Sequence, residues 1–212
     1  MGRPARHDEA TILECARQVS AHVGPQNLTI AAVAERAGAP VGSIYHRYAS
    51  RDDILATVWL DLVEDFQKNF LSALEETENP IDAGLAAVSF TCRWVRRHPI
   101  EARLMLVHRR EDFASERWIR RHRQRAERLA ARSLESLQRY ATRLLKRDGA
   151  AELRVVRFAL VDLPTAALKR EIEAGVPPSQ SVEKLLLETC AHALRWSCEG
   201  APRAKSRVRP GR

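Results

Sequence analysis

At 212 residues, 45% of them hydrophobic and 29% charged, the chain has the balance of a globular protein with enough apolar material for a core, which excludes a disordered polyelectrolyte. No apolar run approaches the roughly 18–20 residues that span a bilayer, no apolar secretion signal opens the chain, and Cys15, Cys92, Cys190 and Cys198 are scattered without metal spacing. A cytoplasmic protein with no metal, no cofactor and no membrane association is expected, and its formal net charge of +8 fits a polyanionic partner.

Glycine and proline fall at the joints of segments with helical period, and no window alternates like a strand, so the chain is expected to be all-α. From Asp8 to about Val23, Ile12, Ala16, Val19 and Val23 share one helix face, and Gly24-Pro25 stops the segment. Thr29 is placed to cap a second, shorter helix, with Leu28 and Val33 as a hydrophobic staple across its start and Gly38 as its left-handed end. A third short helix is expected through Val41-Gly42-Ser43-Ile44-Tyr45-His46-Arg47-Tyr48. Ser50 and Asp53 make a capping-box-like start for a long fourth helix striped by Ile54, Val58, Leu62, Phe66, Phe70 and Leu74.

Asn79-Pro80 opens the next helix in the favoured cap-then-proline order, and His98-Pro99 breaks it. A short helix to about His108 precedes a long Arg-rich one from about Ser115 to Lys146, ended by Asp148-Gly149. Two more helices are expected near 151–174, kinked by Pro164, and near 179–198, giving nine in all. After Gly200 the composition turns to Ala, Pro, Arg, Lys and Ser, which predicts a basic disordered tail over 201–212. The domain reading is 1–50 for a head, 51–200 for a larger helical body, and the tail.

Function is most legible between Thr29 and Tyr48, where helix, glycine turn and helix follow one another. A helix-turn-helix lays its second helix in the major groove, which is wide enough to admit it. Here that helix begins with Val41 and Gly42, a small start that lets the backbone come close to DNA. Ser43, Tyr45, His46, Arg47 and Tyr48 then bring the hydroxyls, imidazole and guanidinium that hold phosphate oxygens, while Ile44 faces the core. Bulk charge does not make this case, because residues 1–51 hold six arginines against four acids, a balance of only +2. The run Thr29-Ile30-Ala31-Ala32-Val33-Ala34-Glu35-Arg36-Ala37-Gly38, then Gly42-Ser43-Ile44-Tyr45-His46-Arg47-Tyr48, then Ser50-Arg51-Asp52-Asp53-Ile54-Leu55, resembles the N-terminal domain of the TetR family of bacterial transcriptional regulators. The resemblance implies a three-helix DNA-binding head, a larger helical body that binds a small-molecule effector, and a homodimer with its last two helices at the interface. It also implies a palindromic operator in double-stranded DNA and release by the ligand. Within the motif it assigns DNA contacts to Thr29, Ser43, Tyr45, His46, Tyr48 and Arg51. Pro40 and Val41 depart from the small hydroxyl and basic residues that this family often has there.

In the body, Phe66, Trp94, His98, Met105, His108 and Trp118 are the candidates for an effector pocket, because pockets between bundle helices are apolar with a few polar groups. Plain core packing is the competing reading for each. Leu153, Val156, Leu160, Leu163 and Ala167, with Val182, Leu186, Cys190, Ala193 and Leu194, form apolar stripes suited to self-association or to packing within the subunit. The arginines of 117–147 and of the tail read as solvated charge or as contacts to DNA or an anionic ligand, and Gly2-Arg3-Pro4-Ala5-Arg6 as a solvated terminus or a minor-groove arm. No phosphate loop, zinc-protease motif or nucleophile elbow is present to support an enzyme. A helical protein–protein adaptor that keeps the fold without specific DNA binding is the alternative.

Overall fold

In the computed structural model, which describes residues 8–113 and 118–200, with side chains as far as Cys198, Asp8 accepts a hydrogen bond from the Thr11 N–H at 2.8 Å and starts helix α1 (Glu9–Val23). The carboxylate satisfies one of the free amides that every helix start exposes, and it opposes the positive end of the helix dipole. The arm Gly2–Arg6, the expected helix start at Ser115 and the tail 201–212 lie outside the described residues. After a turn of 3-10 helix at Pro25–Asn27, Thr29 caps α2 (Ile30–Ala37) by accepting from the Ala32 N–H. Leu28 and Val33 are fully buried across that start, and Gly38 closes the helix at φ 61, where a side chain would be strained.

Helix α3 (Val41–Tyr45) is shorter than its periodicity predicts, since His46 and Arg47 already belong to a turn. Ser50 caps α4 (Arg51–Ala73), which packs against α1 in the head and reaches through the body. Around it stand α5 (Pro80–Arg97), α6 (Pro99–Leu106), the short α7 (Arg110–Phe113) and α8 (Arg120–Leu145). Then come α9 (Ala150–Arg157) and α10 (Leu163–Glu173), which together occupy the one kinked helix expected there, and α11 (Gln180–Gly200). All regular structure among the described residues is helical, and α7 is a short helix beyond the nine expected. Gly84 lets α5 meet α8 closely: a Cβ there would collide with the Tyr140 hydroxyl, which donates to the Pro80 carbonyl at 2.7 Å.

The expected kink at Pro164 takes a specific form. A π-helical turn, Phe158–Asp162, joins α9 to α10 in one continuous rod, with the Leu163 N–H donating to the Phe158 carbonyl five residues back. In that register the carbonyl of Ala159 would look to residue 164, and proline has no N–H to give. Cys190 of α11 supplies the missing donor, its thiol lying 3.1 Å from the Ala159 oxygen. Burial pushes this thiol up to about 12, so it remains the protonated, donating form.

Candidate nucleic-acid interface

Ile44 is the one residue of α3 buried completely, and it ties the helix into the core formed by Ile12, Ala16, Leu28 and Val33. Because its neighbours on a helix must then point elsewhere, Val41, Gly42, Tyr45, His46 and Arg47 are exposed and Ser43 half-buried. Tyr45 leaves 55% and Val41 44% of their surface open. Thr29 joins them at the start of α2; its oxygen accepts the Ala32 N–H, and its own proton remains available to an outside acceptor. A Cβ on Gly42 would meet nothing within 4 Å, so the protein's own packing does not require glycine there.

Two of the expected contacts are placed differently. Tyr48 is 2% exposed, its ring in the head's core and its hydroxyl 3.2 Å from Glu9 of α1. Burial, reinforced by the Glu9 charge, drives its phenol well above the usual tyrosine range. Arg51 donates to the carbonyls of Leu28, Pro25 and Gln26 at 2.6–2.8 Å, clamping the turn between α1 and α2. Both residues brace the exposed face from within: Tyr48 lies next to Arg47 in sequence, and Arg51 holds the turn that carries Thr29.

The seating of α3 also depends on the body. Asp53, 5% exposed, accepts from the Ala49 N–H at 3.1 Å and so fixes the turn that follows α3. The same carboxylate meets His122 Nε2 at 2.6 Å and Arg121 Nη2 at 2.9 Å, both at the start of α8. Burial alone would raise the Asp53 carboxyl, but the bonds from His122, Ala49 and Arg121 outweigh it and hold the carboxyl below its ordinary value. In the sequence Asp53 is legible only as part of a cap, because nothing local signals a contact across 68 or 69 positions.

The effector candidates separate into two groups. Phe66, Trp94 and His98 form one aromatic run, with ring centres 5.0 and 5.5 Å apart. His108 and Trp118 instead meet at Phe113: the His108 ring packs edge-on to it at 6.5 Å, and the Trp118 indole donates to its carbonyl at 3.0 Å. Met105 packs half-buried against the core. Trp94 Nε1 and His108 Nε2 are buried without a hydrogen-bond partner among the described residues. Burial, with Arg103 adding and Asp112 opposing, lowers the His108 pKa and favours its neutral form.

The residues expected to serve self-association or packing within the subunit fall into two groups. Val156, Leu160, Leu186, Cys190 and Leu194 are buried within the subunit, where they join α9–α10 to α11. Leu153, Leu163, Ala167, Val182 and Ala193 are half-buried. The apolar side chains that α9–α11 leave open are Phe158, Leu185 and Trp196, exposed by 54%, 65% and 52%. Phe158 and Trp196 flank a shallow groove of about 460 Å³. Their signal was present in the sequence as large apolar residues off the main stripe.

Residues 12–58 match the family model described as bacterial regulatory proteins, tetR family. No curated protein sequence matches the chain. Among solved structures, a TetR-like transcriptional regulator from Rhodococcus sp. RHA1 superposes with a TM-score of 0.68 at 14% identity, over 92% of this chain and 98% of that one. A TetR family transcription regulator from Marinobacter aquaeolei VT8 gives 0.66 at 14% identity, over 87% and 93%. The transcriptional regulator FadR from Bacillus subtilis, in complex with stearoyl-CoA, gives 0.66 at 14% identity, over 92% and 100%. At these identities the likeness is one of fold.

Proposed function

We propose, for a chain whose N-terminal domain belongs to the tetR family of bacterial regulatory proteins, that it is a sequence-specific DNA-binding transcription repressor. The outward face of α3 carries this reading: a short helix anchored by one buried isoleucine, open along Val41, Gly42, Tyr45, His46 and Arg47. Ser43 and Thr29 supply hydroxyls at its margin for phosphate oxygens, and Arg47, which donates to the Ser43 carbonyl at 3.1 Å, supplies an exposed cation. Tyr48 and Arg51 hold that face in position rather than touching the duplex. The head comprises residues 1–50 and the body 51–200, with α4 the strut between them.

The functional unit is a homodimer on a palindromic operator, since two heads must reach major grooves about 34–36 Å apart on one face of the duplex. Phe158, Leu185 and Trp196 are the centre of its self-association face, because large apolar groups left open on adjacent helices favour burial against a partner. Release follows when a small molecule binds the body and favours a head spacing that no longer fits the duplex. The aromatic run of Phe66, Trp94 and His98 suits an effector with an apolar body, as stearoyl-CoA has in the FadR complex. The unpartnered Trp94 N–H gives such an effector a donor to find.

Duplexes selected from a random pool by the purified protein supply the test. Replacing Arg47 with Ala is expected to weaken binding to the selected duplex and to reduce the slope of log K against log salt by about one per head. A selected pool without consensus, together with an unchanged slope, would favour the adaptor reading instead.

A further inference from the structure

Beside the head–body junction lies a groove of about 550 Å³ that none of the expected effector residues lines. Ala21 of α1 forms one wall, Val95 and Ile100 of α5 and α6 the floor, and Ile172 with Pro177 the far side. Its size falls within the roughly 300–1,000 Å³ of small-molecule sites, and its walls are mainly apolar. Arg103 is the polar group that gives it direction. The Nε of Arg103 donates to the Ala21 carbonyl at 3.1 Å, satisfying one of the free oxygens at the C-terminal end of α1.

The remaining guanidinium N–H groups of the half-buried Arg103 have no carboxylate partner among the described residues. The other groove arginine, Arg96, is neutralised by Glu183 of α11. An uncompensated, partly desolvated guanidinium beside apolar walls is complementary to a carboxylate carrying a hydrocarbon body. We propose that this groove binds a small amphipathic monocarboxylate, with the carboxylate on Arg103 and the apolar part against Val95, Ile100 and Ile172. Because Arg103 already clasps the last turn of α1, an occupant there bears on the joint between head and body. That regulatory consequence rests on the reading of the head as DNA-binding, whereas the site itself does not.

Titration calorimetry on the full chain with 4-phenylbutyrate, and with 4-phenylbutanol as the uncharged analogue, tests the site. One saturable event per chain is expected for the acid, with the alcohol and the Arg103→Gln variant each weaker by about tenfold or more. Arg103→Lys, which keeps the charge and loses the fork, should fall between, and circular dichroism establishes that each variant is folded. Equal binding of acid and alcohol, or an unchanged affinity in a folded Arg103→Gln chain, overturns the proposal, as does the absence of saturable binding by the acid. Acid binding that persists in a protein selecting no duplex would remove the regulator reading and leave the groove site standing.

Discussion

Tyr45 closes α3 and Tyr48 stands three positions on, beyond the turn at His46 and Arg47, and their surroundings give them different work. The Tyr45 ring is open to solvent, while the Tyr48 ring fills the head's core and only its hydroxyl reaches out, toward Glu9. Replacing Tyr45 with Phe should therefore lower affinity for a selected duplex with little change in unfolding midpoint. Replacing Tyr48 with Phe should cost about 0.5–1.5 kcal/mol of stability, the usual net value of one intramolecular hydrogen bond. Paired denaturation and anisotropy measurements separate the two, and a reversed pattern would contradict the placement. Asp53 carries a pH signature. Its carboxyl titrates below the ordinary 3.8, so its contribution is complete above that value and is lost as pH falls through the lower folded value. The Asp53→Asn chain should be less stable at neutral pH, and its stability should fall less than wild type's as pH drops below about 4. Urea midpoints across pH 2–7 measure this, and parallel acid limbs would count against it.

The elements themselves were largely written in the sequence, because caps and stops are local chemistry. Thr29, Ser50 and Asn79 accept amide hydrogen bonds at the helix starts that their side chains announce, and Asp8 does the same at the start of α1. What stayed hidden were features decided by partners distant in the chain. Periodicity extended α3 to Tyr48, yet burial of Tyr48 against α1 and the turn at His46 end it sooner. Pro164 announced a disturbance, but only the position of Cys190 on α11 shows how the freed carbonyl of Ala159 is satisfied. The apolar stripes of α9, α10 and α11 are visible in the sequence, while the choice between self-association and packing inside the subunit is not, since a stripe does not say what it packs against. Cys190→Ser should keep the hydrogen bond, whereas Cys190→Ala should leave a buried acceptor unmet and cost about 1–3 kcal/mol. Chemical denaturation of the two variants decides this, and Ser no more stable than Ala would show that the thiol contributes packing alone.

Across the molecule, the head meets the body where α1 packs against α4 and α6 and where the Pro25–Asn27 turn packs against α7, and two sets of hydrogen bonds reinforce that junction. Asp53 of α4 accepts from the Ala49 N–H just after α3 while also meeting His122 and Arg121 of α8, and Arg103 of α6 donates to the Ala21 carbonyl at the end of α1. Helix α4 contacts α1, α5 and α8, so a displacement in the body reaches the head along a path of packed helices. Such a path matters only if two heads act together, which is why the open Phe158, Leu185 and Trp196 surface belongs to the same account. The +2 balance of the first 51 residues is consistent with recognition by a local face rather than by bulk attraction. Footprinting of the wild-type protein on a duplex chosen from the random pool tests that face most directly. Two protected half-sites related by a dyad, with centres about one helical turn or a whole number of turns apart, are predicted. Uniform protection that ignores sequence, or none at low salt, would contradict the assignment of α3 to the major groove.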